Sequence, residues 1–247
     1  GESSQKDAEL VIDSLRTLSK DPQLEFELDL DLRPEGKNGP IARSLDSYAT
    51  YYSRWGDVWE NQALLRARMI FGSEKLVQAF STLVDEYRYP KELPSSSIIE
   101  IRRIKARVES ERLPQGADPK RHLKLGRGSL SDIEWLVQLL QLQFGNLYPE
   151  VRTPQTLEGL ESLVTHGILE AHDARVLLES WNLCSSVRSA IVLATGRKSD
   201  MLPIDRKQLE SISRILKYPR NSATALEEDY LAKTRRARMV FERVFFA

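Results

Sequence analysis

EFELDLDLRPEG, residues 25–36, decides how the chain is read. Phe26, Leu28, Leu30 and Leu32 alternate with Glu25, Glu27, Asp29, Asp31 and then Arg33. Alternation with a period of two marks a half-buried strand, apolar on one face and polar on the other. Successive carboxylates on one face repel each other unless cations lie over them. That face is either solvated beside basic neighbours or binds a metal, because hard oxygen ligands suit magnesium. An Asp-x-Asp pair alone does not choose between the two. Pro34, Gly36, Gly39 and Pro40 then mark a loop. Arg33, at its start, can fork onto a carboxylate or a phosphate.

Upstream, Ala8, Val11, Ile12, Leu15 and Leu18 recur at helical spacing until Asp21-Pro22 breaks the pattern. Downstream, everything reads as helix, about eight or nine in all, with loops at Pro90–Pro94 and at LPQGADPKRHLKLGRGS (residues 113–129). SDIEWLVQLLQLQFG (131–145) reads as amphipathic, with Ser131 and Glu134 spaced as a capping box. One strand cannot make a sheet, since its edges need partners. The expectation is therefore a sheet begun in preceding sequence, and a chain that is part of a longer protein.

The 247 residues carry 36 Lys+Arg against 36 Asp+Glu, so the formal net charge is zero and a bulk polybasic nucleic-acid binder is not expected. No apolar run reaches membrane-spanning length and no signal peptide opens the sequence, which gives a cytoplasmic expectation and no membrane partner. One cysteine, Cys184, leaves no internal disulfide framework, and WNLCSSVRSAIVL reads as a helix interior around it. His122, His166 and His172 have no metal-ligand spacing and read as surface or loop residues.

Two basic constellations remain. WENQALLRAR (59–68) carries Arg66 and Arg68, with Gln62 and Arg66 at a contact spacing of four; this is an exposed basic face or a pair of guanidinium groups near phosphates. KLGRGSLSDIEW (124–135) sets Lys124 and Arg127 around Gly126 and Gly128 just ahead of a helix. Glycines permit close backbone approach and a helix start offers N–H groups to an anion. The spacing fits neither a Walker A loop nor a dinucleotide fingerprint. Asp132 and Glu134 suit the positive end of the helix dipole.

LDLDLRPEGKNGP, YATYYSRWGDVWENQALLRAR, EIRRIKARVESER and KLGRGSLSDIEWLVQLLQLQFG together resemble glutamine synthetase adenylyltransferase, in register from about Glu25 to about Gly145. The wording EIRRIKARVESERLPQGADP is similar to the C-terminal, adenylylating module. The resemblance implies a mainly α fold class: a helical bundle (46–247) following the truncated end of an α/β nucleotidyltransferase-fold domain (1–45). It implies transfer of AMP from ATP, with Mg2+, to a tyrosine of glutamine synthetase, and partnership with the PII signal protein. It also implies that the principal metal-binding aspartate pair is absent from this chain. Asp29 would be the third metal ligand and a base, with Arg33 as its orienting partner; these are the catalytic expectations. Lys124, Arg127, Arg66 and Arg68 would be nucleotide or phosphate contacts. Ser129 and Gly72-Ser73 depart from the family pattern, which has a second glycine and a Gly-Asp there. Two other readings stay open: a non-catalytic helical module contacting glutamine synthetase or PII protein, and a PII uridylyltransferase-related piece, which shares a related helical region.

Overall fold

The computed structural model describes residues 2–21, 24–25 and 28–247, with side chains from residue 4 to 20 and from 28 onward. The described residues are dominated by α-helices, as the periodicities predict, with ten where about eight or nine were expected. They divide into two units, Gly1–Arg88 and Tyr89–Ala247.

In the first unit, α1 (Glu2–Leu18) precedes a minimal antiparallel pair, β1 (Lys20–Asp21) with β2 (Leu24–Glu25). The helix lies where its apolar spacing placed it, but Leu10, Val11, Leu15 and Leu18 are exposed. Gln5 holds it locally, its amide oxygen accepting from the Ala42 N–H at 3.3 Å. Among the described residues, the long strand expected over EFELDLDLR is formed only at Glu25, in β2. Phe26 and Glu27 lie outside the described residues, and residues 28–31 have no regular structure. The alternation survives only as exposure, with Leu28 and Leu30 half-buried and Asp29 and Asp31 exposed, while Leu32 is 75% exposed. The physical reason is local competition. No ladder takes up these backbone groups among the described residues, and the Asp29 carboxylate instead accepts from the Asp31 N–H at 2.9 Å, closing an Asx-type turn.

The aromatic stretch after the loop folds as two helices, α2 (Leu45–Arg54) and α3 (Val58–Leu64), broken at Gly56-Asp57, and α4 (Glu74–Arg88) covers them. Asp57 and Glu60 form a capping box at the start of α3. Tyr52, Leu64 and Val84 are the buried centre, with Tyr48, Tyr51, Phe80 and Tyr87 against them. Tyr48 and Phe80 meet edge to face with centroids 5.4 Å apart, a favoured aromatic geometry.

The second unit is a helical bundle of α5 (Ser95–Glu111), α6 (Leu130–Phe144), α7 (Thr156–Thr165), α8 (Ala171–Thr195), α9 (Arg206–Ile215) and α10 (Ala223–Phe245). α6 is not the half-exposed helix expected: ten of its residues are buried, including Ile133, Leu136, Val137 and Leu140, as befits a helix apolar almost all round. Its start is at Leu130, one residue ahead of the expected Ser131–Glu134 box, and Ser131 is buried inside the first turn. Cys184, Val187, Leu209, Ile212, Leu226 and Tyr230 join α8, α9 and α10 in one core. Cys184 is a core residue as expected, and burial pushes its thiol up to about 12.

Candidate functional site

The loop after residue 28 is organised by Arg33. Its Nε donates to the Gly39 carbonyl at 3.0 Å and its Nη2 to the Lys37 carbonyl at 3.2 Å, and its Nη1 donates to the Leu30 carbonyl. The fork of guanidinium donors thus gathers both ends of the RPEGKNG turn. Asp29 receives none of these bonds; its carboxylate is exposed and turned onto the Asp31 N–H. Glu35 adopts a left-handed backbone (φ 64°) ahead of a 3₁₀ turn at Gly36–Asn38. Arg43 pairs with the Glu35 carboxylate.

This loop rests on the helices through a relay of hydrogen bonds. The Glu35 N–H donates to the Tyr51 hydroxyl at 3.4 Å, and that hydroxyl donates to Glu60 Oε1 at 2.9 Å. Glu60 Oε2 accepts from the Asp57 N–H at 2.9 Å. Both oxygens of the buried Glu60 are therefore committed to structure. Burial, and then the Glu60 bond, hold the Tyr51 hydroxyl above its ordinary pKa, so it is a neutral donor near pH 7.

Beside the relay lies a pocket of about 180 Å³ whose walls include Leu32, Arg33, Tyr52, Trp59, Glu60 and Arg66. Arg33 and Arg66, proposed from different motifs, are thereby brought to one cavity. Arg68 is exposed and is not among its walls. The volume is below the roughly 300 Å³ at which small-molecule pockets begin, so it suits a part of a ligand rather than a whole nucleotide. Arg66 sits past the end of α3, its N–H bonded to the Ala63 carbonyl at 3.0 Å.

Among the described residues no group of three or more His, Cys, Asp or Glu side chains is placed to hold a metal ion. Magnesium is commonly held by one or two carboxylates together with waters and substrate phosphates, and the exposed Asp29 offers one such carboxylate.

Lys124 and Arg127 belong to the second unit, where the KLGRGS loop is internally bonded. His122, expected at the surface or in a loop, is in the loop but buried, and its Nδ1 accepts from the N–H groups of Lys124 at 3.3 Å and Leu125 at 2.9 Å. The Gly128 N–H donates to Asp132 Oδ2 at 2.6 Å, and the Gly128 carbonyl accepts from Ser180 Oγ at 2.7 Å. The loop amides are thus turned inward, while the Lys124 and Arg127 side chains are exposed.

Asp132 does more than face the helix dipole. With 1% exposure it bonds Lys105 Nζ at 2.6 Å and Arg238 Nη1 at 3.0 Å, and Glu109 takes the same two cations at 2.9 Å each. Arg238 also pairs with Glu242 at 2.7 Å, and sequence reasoning missed this cluster. Its signal was Lys105 at a spacing of four from Ile101, a lysine set in the buried stripe of α5.

Residues 6–83 match the family model described as Glutamate-ammonia ligase adenylyltransferase, and residues 102–245 the one described as GlnD PII-uridylyltransferase. The chain is 53% identical to the bifunctional glutamine synthetase adenylyltransferase/adenylyl-removing enzyme of Leifsonia xyli over 97% of its length. Against the proteins of the same description from Streptomyces avermitilis and Mycobacterium tuberculosis, the identities are 48% over 97% and 46% over 96% of the chain. It spans about a quarter (24%) of the length of each of these relatives. No helix among the described residues is long and apolar enough to cross a membrane.

Proposed function

Because the chain belongs to the glutamine synthetase adenylyltransferase family, with residues 102–245 in the helical family described as GlnD PII-uridylyltransferase, we propose that it is part of an enzyme that moves AMP from ATP onto a tyrosine of glutamine synthetase. The observation that carries this reading is the loop around Arg33, which leaves Asp29 exposed and sets Arg33 and Arg66 in one pocket. In the proposed reaction the tyrosine hydroxyl gives its proton to a base, the role assigned to Asp29. Its oxygen bonds to the α-phosphorus, the bond from that phosphorus to the α,β-bridging oxygen breaks, and pyrophosphate leaves. Positioning and charge stabilisation supply most of the acceleration in such transfers.

Within this proposal Asp29 is a carboxylate of the reaction centre and Arg33 fixes the loop that presents it. Arg66 and Arg68 supply positive charge near the nucleotide, and Lys124 and Arg127 contact an anionic phosphate group. Residues 1–45 are proposed as the end of an α/β nucleotidyltransferase portion. Mg2+ is the parent enzyme's cofactor in this reading, ATP and glutamine synthetase its substrates, and PII protein its partner.

A second reading is supported by the predominantly helical architecture of the described residues. The 247-residue chain alone is then a helical module that meets glutamine synthetase or PII protein without transferring AMP. The test is incubation of the chain with glutamine synthetase, ATP and Mg2+, the intact parent serving as control. The parent is expected to label glutamine synthetase with AMP and the chain to leave it unlabelled. Labelling by the chain alone would overturn the second reading. Failure of the intact parent would overturn the first.

A further inference from the structure

We propose that His122, Asp132 and Ser180 are positioning residues, which hold Lys124 and Arg127 as a fixed pair of cations for an anionic group of the substrate. The proposal rests on the reading of Lys124 and Arg127 as phosphate contacts. It starts from an asymmetry in the loop: its backbone is buried and bonded while two cationic side chains stand out of it.

The amides around those cations are nearly all engaged. Leu123 N–H donates to the Asp200 carbonyl at 2.7 Å, and the N–H groups of Lys124 and Leu125 donate to His122 Nδ1. Gly126 N–H donates to the His122 carbonyl at 2.9 Å, and Ser131 N–H to the Lys124 carbonyl at 2.9 Å. His122 therefore holds the Lys124 side of the loop. On the Arg127 side, Asp132 takes the Gly128 N–H and Ser180 the Gly128 carbonyl. Gly128 has φ +72°, and a Cβ there would stand 1.8 Å from the Thr234 carbonyl oxygen, so α10 presses on the backbone beside Arg127.

With amides turned inward, the loop is not an N–H cradle for an anion, and the positive charge it offers comes from the two side chains. Neither Lys124 nor Arg127 pairs with a carboxylate among the described residues, whereas Lys105 and Arg238, joined to the loop through Asp132, are paired. A rigid backbone beneath the two unpaired cations spares the cost of ordering the loop when they meet a phosphate, leaving only the side-chain rotamers to be fixed.

The experiment measures ATP KM and kcat in the intact parent. Lys124→Ala and Arg127→Ala are each expected to raise KM for ATP about tenfold, the scale of one charge-assisted hydrogen bond. His122→Leu is expected to raise KM about fivefold with kcat within about twofold, since it loosens the cations without removing them. His122→Asn, whose Oδ1 can replace Nδ1 as acceptor, is expected to restore the parent value. If His122→Leu does not fold, Ser180→Ala, which removes only the hydroxyl on the Gly128 carbonyl, should raise KM about threefold. A folded His122→Leu or Ser180→Ala with unchanged KM, while Lys124→Ala still raises it, would overturn the positioning role and leave the phosphate reading standing. No change in either Lys124→Ala or Arg127→Ala would overturn the phosphate reading itself.

Discussion

Lys105 Nζ lies 2.6 Å from Asp132 Oδ1, and both side chains are 1% exposed. Two such charges are costly to desolvate, and each is tolerable because the other, with Glu109 and Arg238, completes a paired network that Glu242 extends from Arg238 toward the surface. Removing one member strands the rest. Lys105→Met is expected to cost about 3–5 kcal/mol in denaturant unfolding. Lys105→Met combined with Asp132→Asn should cost less than the two single changes summed, because the charges balance again. Strict additivity would show that the pair does not act as a unit.

His122 gives the second unit a pH dependence of known sign. Burial is the main cause that holds its pKa below the ordinary 6.5, with the Asp200 carboxylate pulling the other way and Arg188 and Lys124 adding to the depression. Below the ordinary value the unfolded chain binds a proton that the folded chain refuses, so the unfolded state holds more protons and stability rises with pH. His122's contribution is therefore fully present above about pH 6.5 and is lost as pH falls through the folded pKa. Protonation would also end acceptance by Nδ1. Thermal unfolding between pH 5 and 7.5 is expected to show an acid-side loss that shrinks in His122→Asn; an identical profile in the variant would contradict this assignment.

Arg33→Lys isolates the clamp on the LRPEG loop. A lysine keeps the charge but cannot fork to the carbonyls of Leu30, Lys37 and Gly39 at once. Hydrogen exchange at the Gly36 and Gly39 amides is expected to speed up about tenfold, while α2 and α4 keep their protection. Unchanged exchange in the loop would mean that Arg33 does not hold it.

Much of the fold was legible, and the failures have physical causes. The helices were visible because buried apolar positions recur at 3.6 residues, and Cys184 was placed correctly by its apolar neighbours alone. The strand over EFELDLDLR was over-read, because alternation reports which faces are wet and not whether a partner strand exists. α6 was under-read: its polar Gln138 and Gln141 look like a solvent face, but Gln141 is buried with its amide on the carbonyls of Val151 and Thr153 at 2.8 Å. At the candidate site, Arg33 and Arg66 could be named from their motifs, but their meeting in one pocket depends on the α2–α3 break. The roles of Lys105, Arg238 and Ser180 were hidden, since each meets a partner between 27 and 129 residues away.

The most direct test is AMP incorporation into glutamine synthetase by the intact parent carrying Asp29→Asn. Asparagine keeps the side-chain oxygen that accepts from the Asp31 N–H, so the loop should hold its shape. If Asp29 is a carboxylate of the transfer centre, incorporation should fall at least about a hundredfold with the fold intact, the scale at which a single group acting on the reacting atoms is felt. A folded Asp29→Asn enzyme that labels glutamine synthetase at the parent's rate would contradict the account.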